Sequence, residues 1–272
     1  MLLRLPAASG SAPAAPSERG AAGHPPDFGL RKGIVARRID AESPDTAQRT
    51  KLLDAAPWIV VWTGEPAIPG EIIARSNGIA YVDEIPADRG RHGELLRRGV
   101  RPVQDDQRGK PLFADINHAK QRRALRLLLC QVCAEPAGCT EAGTLWILTV
   151  DAYEKALEIG FVQAPVCLPC ARIAVEVCPR LRAGHVALRA RAVRPTGVVG
   201  TLCAPNPNPL NPNEIRVVER DYAAYFHDPL LPWVLASEIR VELSDVTVVD
   251  LDEDWTTQAT NRPHPKATTP CT

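Results

Sequence analysis

Cys130-Gln-Val-Cys133 and Cys167-Leu-Pro-Cys170 are two Cys-x-x-Cys pairs separated by 33 residues in a chain of 272. Two thiols at this spacing fit one tight turn and can grip a single ion together. Two such turns complete the tetrahedral sulfur set that zinc favours. If both turns serve one ion, the segment between them is a closed loop, and the middle of the chain must fold around it. The second pair stands where a helix is expected to begin. Cys170, Ile173, Ala174, Val177 and Cys178 share one helical face, so Cys170 can bind metal while the others enter a core. The positive end of that helix also favours a thiolate.

The order is a Cys-pair turn, a strand-rich insert, then a Cys pair opening a helix. Over residues 116–182 it resembles the treble-clef zinc fingers and, more broadly, uncharacterised actinobacterial proteins with two Cys-x-x-Cys pairs. The resemblance implies a structural zinc held by Cys130, Cys133, Cys167 and Cys170. An iron–sulfur cluster is the alternative, since it too takes four thiolates. Cys130-x2-Cys133-x5-Cys139 is similar to the spacing in WhiB-like regulators, although the Gly-Trp-rich turn of that family is missing. A redox pair needs a thioredoxin-like βαβ context, which the sequence does not offer. Cys139, Cys178 and Cys203 read as buried thiols, and Cys271 as a free thiol near the end.

Treble clefs also occur in HNH nucleases, where histidines beside the knuckle bind a second metal. No histidine lies between Cys133 and Cys167, so this chain lacks those active residues and is at most an HNH relative without them. His118 and His185 flank the pairs. Four cysteines close the coordination sphere that a catalytic zinc keeps open. No phosphate loop, dinucleotide turn, nucleophile elbow or His-Glu-x-x-His is present. The residues identify no reaction.

Charge sets the remaining expectations. The net charge is zero, which argues against adhesion of the whole chain to nucleic acid or membrane. Locally the balance is uneven. Residues 89–126 carry 11 basic and 4 acidic side chains (11 − 4 = +7), 180–194 carry 5 Arg and no acid, and 214–254 carry 3 basic and 11 acidic (3 − 11 = −8). Lys120, Arg122, Arg123 and Arg126 enter the first Cys turn, and Arg180 and Arg182 follow the second pair. These six are the candidate contacts to DNA or RNA phosphates. The competing reading is that the basic and acidic regions pair with each other. Arg is also abundant for its own sake, as in a GC-rich genome: 6 Lys leave 26 Arg among the 32 basic residues.

No run approaches the roughly 18 apolar residues that span a bilayer, and the start lacks a secretory core, so a cytoplasmic protein is expected. The class expected is α+β, with mixed short strands and helices around the zinc module. Its organisation reads as a disordered segment 1–33, an α/β region 34–114, a zinc module with a following hairpin 115–203, a Pro/Asn linker 204–212, an acidic α/β region 213–255 and a disordered tail 256–272.

Strands are expected at 57–63, 71–73, 78–82, 144–150, 185–193, 197–202, 215–219 and 239–251. Helices are expected at 93–98, 115–129, 171–178, from Asp151, and from Asp228-Pro229. The functional expectation is a non-catalytic, zinc-supported binding protein for nucleic acid or in regulation. The alternatives are a protein–protein adaptor and a divergent HNH-like nuclease.

Overall fold

The computed structural model describes residues 56–208, 210–211 and 213–260. The expectations for 1–33, 34–55 and 261–272, Cys271 included, lie outside the described residues. The described chain contains both helices and strands. The strands are β1 Val60–Trp62, β2 Ile72–Arg75, β3 Gly78–Tyr81, β4 Leu95–Leu96, β5 Pro111–Ile116, β6 Cys139–Thr140, β7 Gly143–Thr149, β8 His185–Pro205, β9 Ile215–Tyr225 and β10 Val234–Val248. The helices are α1 His118–Leu127, α2 Val150–Ile159, α3 Leu168–Val177, α4 Pro179–Ala183 and α5 Leu251–Thr260.

β8 is the spine. Most of its length pairs antiparallel with β10, from Val234↔Leu202 to Val248↔Leu188. Along its other edge, β7 covers His185 to Ala190 and β9 covers Gly197 to Pro205. β6 and the parallel β4 complete a six-stranded sheet. β1 pairs with β5, and β2 with β3, as two small separate ladders.

The period of two along β7 sets the layers. Trp146 and Leu148 point to one face, into a core with Ala124 and Leu125 of α1, Tyr153 and Ala156 of α2, and Val241. Leu145 and Ile147 point to the other, into a core with Cys130, Val166, Leu168, Ala171 and Leu251. Both faces of β7 are therefore buried, which is why Gly143-Thr-Leu-Trp-Ile-Leu-Thr149 reads as a nearly continuous apolar run. At the Gly143 turn φ is +100°, and an added Cβ would strike the Ala190 carbonyl, so only glycine fits.

Several expectations need correction. The two strands expected around Pro195 are one strand, with no hairpin between them. Residues 191–196 lie between the ranges paired with β7 and β9, so Pro195 removes no ladder donor on that edge, and a bulge opposite Arg240 and Val241 takes up the irregularity. The stretch around 93–98 forms β4 rather than a helix, because pairing with β10 buries Leu95 completely. Asp228-Pro229 opens no helix. Asp228 accepts from Leu230 N–H, a short 3-10 turn follows at Leu231–Trp233, and the chain enters β10.

α2 is capped by Thr149, whose hydroxyl accepts from Ala152 N–H, and not by Asp151. The strand expected to run to Leu251 ends at Val248. Residues 251–260, partly expected as tail, form α5, with Asp250 accepting from the N–H groups of Asp252 and Glu253. β8 and β9 are adjacent strands, and just beyond β8 Asn206 N–H donates to the Glu214 carbonyl. β4, β6–β8 and β9–β10 bring residues from all three expected ordered regions into one sheet.

Candidate metal centre

The first Cys turn is built by the way α1 stops. Leu128 adopts the left-handed conformation (φ 49°), and Leu129 N–H returns to the Ala124 carbonyl. The chain then makes a small hairpin-like loop. Cys130 N–H donates to the Glu135 carbonyl at 2.7 Å, Ala134 N–H to the Cys130 carbonyl at 2.9 Å, and Ala137 N–H to the Leu128 carbonyl at 3.0 Å. Val132 N–H points at Cys130 Sγ, 3.4 Å away, which stabilises charge on that sulfur.

The loop is anchored from both sides. Trp58 and Ile59 donate to the carbonyls of Val132 and Gln131, and Gln131 N–H donates to Pro165. That last bond reaches the strand-like approach to the second pair, where Val166 N–H donates to the Leu145 carbonyl of β7. Cys167 is the N-cap of α3 and Cys170 its third residue, so both sulfurs belong to the first turn, at the positive end of the helix.

The four Sγ atoms of Cys130, Cys133, Cys167 and Cys170 all lie within 4.8 Å of one another, and Cys133 and Cys167 are 3.9 Å apart. A tetrahedron of zinc–sulfur bonds of 2.3 Å has edges of about 3.8 Å. Such a group could hold a metal ion. Cys130 is fully buried, Cys167 and Cys170 are half-buried, and Cys133 is exposed, so the centre lies under the surface with one edge open. Burial raises the Cys170 thiol well above the usual range, and the crowding of the other three sulfurs raises it further. A divalent cation reverses that repulsion, since it binds thiolates.

The other expected ligands and thiols separate from this group. Cys139 is exposed at the start of β6, not buried as expected, and is not one of the four gathered sulfurs. Cys178 is half-buried and Cys203 is buried on β8. His185 Nδ1 is engaged with the Leu181 carbonyl at 3.1 Å.

The six candidate phosphate contacts divide. Arg122 is buried, and its guanidinium donates to the carbonyls of Ser237 and Arg97. Lys120 is 3.7 Å from buried Glu65 and lies over the Trp58 ring. Arg123 and Arg126 on α1 and Arg180 on α4 are exposed, and Arg182 is partly exposed. α1 is thus oriented differently from its apolar pattern. Ala119 and Leu127 are exposed, and Gln121, Arg122, Ala124 and Leu125 face inward. Gln121 repays its burial by bonding the carbonyls of Val162 and Ile239 and accepting from Ile239 N–H.

The charge regions do meet, in part. Arg189 of the basic 180–194 stretch pairs with Asp254, and Arg194 with Glu242. No described helix is long and apolar enough to cross a membrane. Compared with protein families, curated proteins and solved structures, the chain matches none.

Proposed function

We propose that this chain is a non-catalytic binding protein whose fold is completed by one structural zinc, and that it engages nucleic acid through arginines beside that zinc. The gathering of four cysteine sulfurs within 4.8 Å carries the reading. Four protein ligands leave no open position for a substrate, which is the pattern of a structural site. The compact sulfur set favours a single ion over an iron–sulfur cluster, whose several iron atoms hold the thiolates farther apart. The order of Cys turn, β6–β7 hairpin and Cys-capped helix supports a treble-clef-like module, with α2 as an insertion before the second pair.

Arg123 and Arg126 approach the first turn, and Arg180 and Arg182 follow the helix of the second pair. These four are the phosphate contacts of the proposal, and Arg122 and Lys120 are supports of the fold. The test uses the zinc-loaded protein and a fluorescent DNA or RNA probe at low and moderate salt. Binding should weaken steeply with salt and fall on the double change Arg123→Glu and Arg126→Glu. Absence of binding at low salt removes the nucleic-acid reading. Zinc at one equivalent with no visible absorption band supports the metal assignment, and a brown protein overturns it.

A further inference from the structure

We propose that the cleft between α1, β10 and the β2–β3 hairpin binds a small organic anion with an apolar body, such as a medium-chain monocarboxylate. This site is separate from the cysteine centre and does not depend on the reading given to that centre.

The cleft has a volume of about 520 Å³, within the range of small-molecule pockets. Its walls come from segments far apart in sequence, so the fold and not a single loop shapes it. Ile68, Ile72, Val100 and Leu235 supply an apolar lining, and Tyr81 lies among them with the Arg98 guanidinium 4.1 Å from its ring centre. The polar groups in the lining are mainly those of Arg97, His118 and Glu238, with Asp115 exposed and Arg98 already committed to Asp83 and Asp88.

These three polar side chains leave hydrogen-bonding capacity unused. Arg97 donates from Nε to Ser237 Oγ and from Nη2 to Thr201 Oγ1, and Nη1 has no partner among the described residues. It has no carboxylate partner there either. Arg122, whose Nη2 bonds the Arg97 carbonyl, is likewise buried without an ion pair. Both charges act on His118, and a half-buried guanidinium without an ion pair is costly.

His118 is the first residue of α1. Its Nδ1 is buried without a hydrogen-bond partner, which leaves Nε2 as the nitrogen able to carry a proton toward a ligand. Burial, with Arg97 and Arg122 adding, pushes the imidazole down to about 4, so it is neutral. The Glu238 carboxyl has no hydrogen-bond partner among the described residues, and burial raises its pKa, with Asp221 adding. Arg97 and neutral His118 offer hydrogen to what enters. A ligand that only accepts, on an apolar stem, matches both halves of the lining.

The test is calorimetric titration of the full zinc-loaded chain with hexanoate, with hexanol and with inorganic phosphate. Hexanoate is expected to bind saturably, and hexanol, with the same body but no charge, at least about tenfold more weakly. Phosphate alone, lacking the stem, should also bind more weakly. Arg97→Gln should cost about tenfold in hexanoate affinity. Because Arg97 also bonds Ser237 and Thr201, a second variant, Ala114→Trp, obstructs the cleft from an exposed lining position and should abolish binding without touching a charge. Equal binding of hexanoate and hexanol, or hexanoate affinity unchanged in the folded Ala114→Trp variant, overturns the proposal. So does the absence of saturable hexanoate binding.

Discussion

Arg189 Nη2 lies 2.6 Å from Asp254 Oδ2, and through that contact the middle strand of the sheet holds the last described helix. Arg189 also donates from Nη1 to the Gly143 carbonyl, so one buried guanidinium joins β8, the β6–β7 turn and α5. Arg189→Met should destabilise the protein by about 3 kcal/mol, the low end for breaking a buried pair. Urea denaturation measures the loss. Asp254→Asn should cost less, because the amide oxygen still accepts. Equal stability of Arg189→Met and the wild type would show that the Arg189–Asp254 pair does not hold α5.

The cysteine centre predicts a second loss. Cys130→Ser replaces the fully buried sulfur and should reduce bound metal from one equivalent to well below it, with destabilisation of several kcal/mol. A strong chelator should act on the wild type in the same direction. Elemental analysis and thermal melts read both. A variant that keeps full metal content contradicts the four-sulfur assignment.

The two neighbouring arginines of α1 should behave oppositely. Arg122→Ala leaves the carbonyls of Ser237 and Arg97 without their donor and should cost about 1–3 kcal/mol. Arg123→Ala, at an exposed position, should stay within about 0.5 kcal/mol of wild type. Thermal denaturation of the two variants side by side checks the contrast.

His118 gives stability a pH dependence of defined sign. Its pKa in the folded protein, about 4, is below the ordinary 6.5, so the unfolded chain binds more protons between those values. Stability should therefore fall as pH drops from 6.5 toward 4, and His118→Gln should remove that slope. Glu238 acts in the opposite sense: its raised carboxyl loses stability as pH rises above 4.5. Comparing wild type and His118→Gln at matched pH values isolates the histidine. If the two profiles run parallel, His118 is not buried as described.

The sequence made the four-cysteine cluster legible because ligand spacing is local: two Cys-x-x-Cys turns can be read before the fold is known. The strands at 57–63, 78–82 and 144–150 were legible for a similar reason, since a short β-branched or apolar run carries its own period. Pro195 misled because a proline signals a break, and nothing local reveals that its edge of β8 falls between two partner strands. β4 was hidden because Leu95 and Leu96 owe their conformation to β10, some 140 residues away. The cap of α5 was written at Asp250, three residues before Glu253, and was obscured by the run of acids that reads as solvated surface. The cleft had the least signal, because its lining residues are scattered and only tertiary structure assembles them.

β8 runs unbroken for 21 residues, a contour of about 70 Å, from the cysteine-side core to the hairpin with β9. Its amides form a shared rail. With the zinc of the proposed function in place, its loss should loosen the end near His185 and shorten the stretch on which β10 stays in register. Slow amide exchange at Val198 to Leu202 should therefore quicken when the ion is stripped, although those residues pack in a different core from the sulfurs.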